Sequence, residues 1–118
     1  MKKNVIVDKS MDFAIEIIKL YKYLCEEKRE FVLSKQILKS GTSVGANIKE
    51  AIRAQTKKDF ISKMNISLKE ISETEYWLEL LCKTEFITKK QYQNLHKDCI
   101  EIIKILTAIV KSSKCMMN

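Results

Sequence analysis

The sequence predicts an all-α fold, an antiparallel up-and-down four-helix bundle, on three observations. Proline is absent and glycine occurs only as Gly41 and Gly45, so the residues that sheet proteins place at their turns are nearly missing. Apolar residues recur at helical rather than alternating spacing along the chain. The breaks between four such stretches are short, which favours antiparallel neighbours. With 118 residues, 46% hydrophobic and 31% charged, the chain reads as one domain over 1–118 with a continuous buried core.

The first helix is expected to start at Asp8 or Ser10, either of which can act as an N-cap. Met11, Ala14, Ile18, Tyr21 and Cys25 form one apolar stripe, and Phe13, Ile17, Leu20 and Leu24 form a second beside it. The charged run EEKRE at 26–30 ends this helix, and Ser34 is the expected cap of the second. There Ile37, Gly41, Val44, Ile48 and Ile52 share one face, to an end near Ala54.

Thr56, with Asp59 three residues on, signals the start of a third helix through Phe60, Met64, Leu68, Ile71, Leu78 and Leu81 to Thr84. At ~1.5 Å per residue it spans about 40 Å. Phe86 and Ile87 occupy the next turn. Thr88 and Gln91 then make a fuller capping box for a fourth helix carried by Tyr92, Leu95, Cys99, Ile102, Leu106 and Ile109, expected to fray before Lys114. Ile15, Ile100, Ile105, Tyr76 and Trp77 fall off the main stripes, and this surplus apolar surface predicts packing against other copies.

The segment SGTSVGANIKEA, residues 40–51, holds both glycines. It is not a phosphate loop: Asn47 and Ile48 stand where lysine and a hydroxyl belong, and no strand precedes it. Glycines four apart lie on neighbouring turns of one side, and each costs about 1 kcal/mol against alanine in a helix interior. Close helix contact is the simplest offset, so Gly41 and Gly45 are expected to form a packing notch. Beside them Ser40, Ser43, Asn47 and Glu50 make a polar line. It is either a solvated face or a buried seam in which Ser43 and Asn47 bond Glu70, Glu73 or Glu75 of the third helix.

No reaction or cofactor is assigned. His96, the single histidine, is preceded at the di-metal spacing by Gln93 rather than glutamate, and has no local nucleophile signature. It is expected to be a partly exposed helix residue. The four cysteines, Cys25, Cys82, Cys99 and Cys115, contain no C-x-x-C pair and are expected as reduced thiols. The three-residue apolar run before Asp8 is too short for a signal-peptide core and no stretch reaches membrane-spanning length, so a cytoplasmic protein without a membrane partner is expected.

The formal charge is +7, from 22 Lys plus Arg against 15 Asp plus Glu, which draws polyanions at long range. The cations are mostly lysines, without the arginine forks of sequence-specific readers. RNA or DNA would therefore be met at its phosphates, with Arg53, Lys57, Lys58 and Lys63 as candidate contacts. The other reading is a small protein-binding module that docks a partner through Tyr76 and Trp77, the basic charge serving solubility.

The block SGTSVGANIKEAIRAQTKKDFISKMNISLKEISETEYWLELL at 40–81, preceded by LYKYLCEEKREFVLSKQILK, resembles the bacterial four-helix-bundle proteins first noticed as products of intervening sequences in large-subunit ribosomal RNA genes. The matching positions are Ser40, Ser43, Asn47, Glu50, Arg53, Lys57, Lys58, Phe60, Leu68, Glu70, Glu73 and Trp77. The resemblance implies a ring-like homopentamer, similar also to the accessory variability determinant of diversity-generating retroelements, a basic barrel that binds nucleic acid and a reverse transcriptase. It implies no established activity. Many relatives have glycine soon after the Asn-Ile-x-Glu motif, where this chain has Ala51.

Overall fold

The computed structural model describes residues 4–117, the side chain of Met117 excepted. The lysine pair that opens the chain and Asn118 lie outside the described residues. Four helices follow in order: α1 (Val5–Glu26), α2 (Leu33–Ile52), α3 (Lys57–Lys83) and α4 (Lys89–Met117). Each packs on the next and α4 closes on α1, while the diagonal pairs stay apart. The pairings run antiparallel: Ile17 and Ser10 of α1 meet Gly41 and Gly45 of α2, and Ser67 and Thr74 of α3 meet Val44 and Ser40 of α2. The result is the expected up-and-down bundle, 49 Å long and 26 by 20 Å across. No described helix is long and apolar enough to cross a membrane.

The buried positions repeat at three- and four-residue steps. In α1 they are Ile6, Ser10, Phe13, Ile17, Leu20 and Leu24; in α2, Ser34, Ile37, Gly41, Val44, Ile48 and Ala51, with Ser40 buried beside Gly41; in α3, Ile61, Met64, Ser67, Ile71, Thr74, Leu78 and Leu81. This is the seam of bundles whose helices interdigitate at shallow angles. Of the two stripes expected on α1, the one through Phe13 and Leu24 therefore faces the core, while Met11 and Ile18 are exposed. Ile52 is exposed as well, because the seam of α2 ends on Ala51.

Three boundaries differ from expectation. α1 begins at Val5 rather than at an Asp8 or Ser10 cap: Asn4 occupies the N-cap position, and Ser10 is buried, its hydroxyl bonding the Val7 carbonyl. α2 is capped not by Ser34 but by Glu30, whose carboxylate accepts from the N–H groups of Val32, Leu33 and Ser34 at 3.2, 3.0 and 2.7 Å. α4 continues through Met117 instead of fraying before Lys114. The other two starts behave as read: the Asp59 N–H donates to Thr56 Oγ1, and Thr88 and Gln91 exchange side-chain to backbone bonds.

The tight turns are made without glycine. Arg29 and Glu85 take the left-handed conformation, with φ of 53° and 66°, and no glycine does. At the end of α3 the Glu85 N–H bonds the Cys82 carbonyl and the Phe86 N–H bonds the Leu81 carbonyl, a Schellman closure that tucks Ile87 into the core.

Candidate nucleic-acid and partner surfaces

Gly41 and Gly45 sit in regular helix against α1. A β-carbon on Gly41 would lie 2.8 and 2.9 Å from the two γ-carbons of Ile17, and one on Gly45 would lie 3.3 Å from the Ser10 hydroxyl. Gly41 is thus a notch filled by a buried isoleucine, whereas Gly45 is a looser contact. The notch faces α1, and the opposite side of the same seam faces α3.

Toward α3 the polar bonds are made by hydroxyls. Thr74 Oγ1 donates to Ser40 Oγ at 2.8 Å, and Ser67 Oγ donates to the Val44 carbonyl at 2.8 Å, all in buried surroundings. Asn47 instead bonds the Ser43 carbonyl of its own helix, and Ser43 bonds the Lys39 carbonyl. Ser67 and Thr74 belong to no polar motif in the sequence, and their three- and four-residue spacing from Met64, Ile71 and Leu78 is the signal that places them inward.

The acidic residues divide. Glu50 and Glu73 are exposed, and Glu50 pairs with Lys63 at 3.1 Å. Glu73 accepts from the Trp77 indole at 3.0 Å. Glu70 is half-buried, and desolvation with help from Glu73 raises its carboxyl above the usual range, partly offset by Lys39 and a hydrogen bond to Ser43. Glu75 meets His96 across the α3–α4 seam at 2.7 Å, and the His96 ring stacks on Tyr92 with centroids 5.0 Å apart. His96 is thus part of an interhelix pair, which depends on a register that no local motif announces. Burial, with Glu75 and Asp98 nearby, pushes the Cys99 thiol up to about 12, which keeps it protonated and unreactive. Among the described residues no three His, Cys, Asp or Glu side chains converge as metal ligands would.

Of the cations named from sequence, Arg53, Lys57 and Lys58 cluster at the α2–α3 turn, exposed and without an ion pair among the described residues. Lys63 is drawn to Glu50, and the two border a shallow depression of about 560 Å³ with Arg53 and Asp59. Tyr76 is 56% exposed and packs edge-to-face on the half-buried Trp77, centroids 5.1 Å apart. Farther down α3, Ile61, Ile66 and Leu68 line a broad depression of about 710 Å³ flanked by Lys58 and Lys69. On α1, Met11, Ile15 and Ile18 form an exposed apolar row at helical spacing.

Comparison with known proteins gives a consistent answer. The 23S rRNA-intervening sequence protein family matches residues 2–108. A crystal structure of a protein of unknown function from the S23 ribosomal protein family of Bacteroides thetaiotaomicron is 58% identical, with a TM-score of 0.89 over 90% of this chain and 98% of that one. No curated protein matches.

Proposed function

The chain belongs to the 23S rRNA-intervening sequence protein family, and from that premise we propose a non-enzymatic, self-associating cytoplasmic bundle that binds nucleic acid through its phosphates. The observation that carries the ligand class is the exposed trio Arg53, Lys57 and Lys58, without an ion pair among the described residues, at one end of a chain with net charge +7. Flexible lysines meet phosphates as point charges, so the expected binding is insensitive to base sequence and strongly sensitive to salt. Self-association, as the homopentamer that the family resemblance implies, is supported by the exposed Met11, Ile15 and Ile18 row.

Titrating labelled structured RNA and duplex DNA from low to physiological salt tests the ligand. Affinity falling along a straight log–log line is expected, and no binding at low salt overturns it. Native mass tests assembly: a multiple of the 13.8 kDa chain is expected, and a single chain at micromolar concentration overturns it.

A second reading draws on Tyr76 and Trp77, an exposed aromatic pair suited to docking a protein partner such as a reverse transcriptase. Under that reading, reversing the charge of Lys57 and Lys58 leaves binding intact, and one protein is recovered reproducibly after nuclease treatment.

A further inference from the structure

The net positive charge is not spread evenly over the bundle. α3 carries five lysines, but Asp59, Glu70, Glu73, Glu75 and Glu79 balance them. α4 carries six lysines against only Asp98 and Glu101. Four of the six, Lys90, Lys97, Lys104 and Lys111, recur at every seventh residue. The buried residues Leu95, Cys99, Ile102 and Leu106 define the inward seam of α4. Against that seam the four lysines take the outermost position of each heptad, opposite the core.

A seven-residue step along an α-helix advances about 10.5 Å and drifts by only about 20°. The four ammonium groups therefore hang from one nearly straight line about 32 Å long on a single rigid helix. All four residues are exposed, and none makes an ion pair among the described residues. Glu101, beside Lys97 and Lys104 on the same helix, is bonded by Lys9 of α1 at 2.8 Å, and with Asp98 near Lys97 it offsets the middle of the row only in part, so the stripe keeps an excess of positive charge.

We propose that this lysine row on α4 is a docking surface for double-stranded nucleic acid, laid along the phosphate backbone. The proposal rests on the nucleic-acid reading above and assigns it a surface that the residues at the α2–α3 turn do not cover. Three features select the occupant. A rigid row of positive charges complements a rod that carries a phosphate charge every ~1.7 Å. The side chains between the lysines are polar or small, Gln93, Asn94, Glu101, Thr107 and Ala108, except for the half-buried Ile100, so the stripe lacks the continuous exposed apolar face that a membrane-surface helix inserts. It also lacks the exposed aromatic platforms on which single strands stack, since Tyr92 is half-buried on His96. The antiparallel register set by Glu75 and His96 brings the C-terminal end of the row to the same end of the bundle as Lys57 and Lys58.

The test compares the full chain with two charge-matched variants, using fluorescence anisotropy of a labelled duplex RNA and the same duplex as DNA. One variant carries Lys90→Gln, Lys97→Gln, Lys104→Gln and Lys111→Gln; the other carries Lys19→Gln, Lys22→Gln, Lys35→Gln and Lys39→Gln on α1 and α2. Both lose the same charge, so only the position differs. The α4 variant is expected to lose about tenfold or more in affinity at low salt, with its log–log salt slope shallower by about three to four. The control should stay within a few-fold of wild type. A version with arginine at the four α4 positions keeps the charge and should bind like wild type. Because all four side chains are exposed, circular dichroism and the urea midpoint are expected to be unchanged.

Equal losses in the two glutamine variants would overturn the assignment to α4 while leaving nucleic-acid binding in place. Polyglutamate or anionic vesicles binding as tightly as the duplex at the same salt would overturn the choice of occupant. Failure of the wild-type chain to bind any duplex would remove both this inference and the reading beneath it.

Discussion

The middle of α2 and the turns at Arg29 and Glu85 use glycine in opposite ways. In α2, Gly41 and Gly45 adopt ordinary helical backbone that any residue accepts, whereas Arg29 and Glu85 hold left-handed conformations that favour glycine and are not glycine. Glycine in this chain is therefore placed for the side chain it lacks, not for the backbone freedom it offers. The helix accepts about 1 kcal/mol per glycine, and α1 comes close enough for Ile17 to settle against Gly41.

The strongest way to break this contrast is to fill the notch. Gly41→Leu must displace a buried isoleucine whose γ-carbons already stand within 3 Å of the missing β-carbon. It is expected to cost about 3 kcal/mol, the upper end of overpacking, read as a lower urea midpoint. Thr74→Val is the next largest: it keeps the shape but removes the bond to Ser40 across the α2–α3 seam. A loss of about 1 kcal/mol is expected, and Thr74→Ser should recover most of it.

The turns sharpen the comparison from the other side. The α1–α2 turn is held by the Glu30 carboxylate. Desolvation works against its charged form, but the N–H groups of Leu33, Ser34 and Val32 outweigh it and hold its titration below the usual carboxylate value. A folded-state value lower than the unfolded one adds stability that is fully present above about pH 4.3 and lost as pH falls through the folded-state value. Glu30→Gln should thus cost about 1 kcal/mol near neutrality, with the gap to wild type closing as the solution is acidified. Glu85→Gly should act in the reverse direction, stabilising by about 0.5–1 kcal/mol because it relieves a left-handed residue. Gly45→Ala is the smallest change: the gain in helix propensity offsets a 3.3 Å approach to the Ser10 hydroxyl, leaving stability within about 1 kcal/mol of wild type.

Much of this fold is legible from sequence because caps and periodicity are local. The Thr56 and Thr88 starts, the third helix and the four-helix order need only short windows to be recognised. The choice between the two stripes of α1 is not local. Both are apolar, and the one through Ile17 faces inward because Ile17 fits the space over Gly41 on another helix. Glu30 escapes notice as a cap because it reaches across a turn whose left-handed Arg29 lacks the glycine that would mark it.

The candidate surfaces divide along the same line. Adjacent lysines such as Lys57 and Lys58 stand out in a linear reading. The row on α4 becomes visible only when positions seven apart are placed on one helix face and the inward seam is known. Ser43 and Asn47 look suited to bonding carboxylates on the third helix; Ser43 does meet Glu70 there, whereas Asn47 bonds the Ser43 carbonyl of its own helix, and the buried seam itself is filled by Ser40, Ser67 and Thr74.

Lysine footprinting of the wild-type chain tests the functional account most directly: brief acylation with and without saturating duplex RNA at low salt, read residue by residue by mass spectrometry. Protection of Lys90, Lys97, Lys104 and Lys111, extending to Lys57 and Lys58 and vanishing at high salt, is the result the account predicts. Unchanged labelling along α4, or protection confined to the lysines of α1, would contradict it.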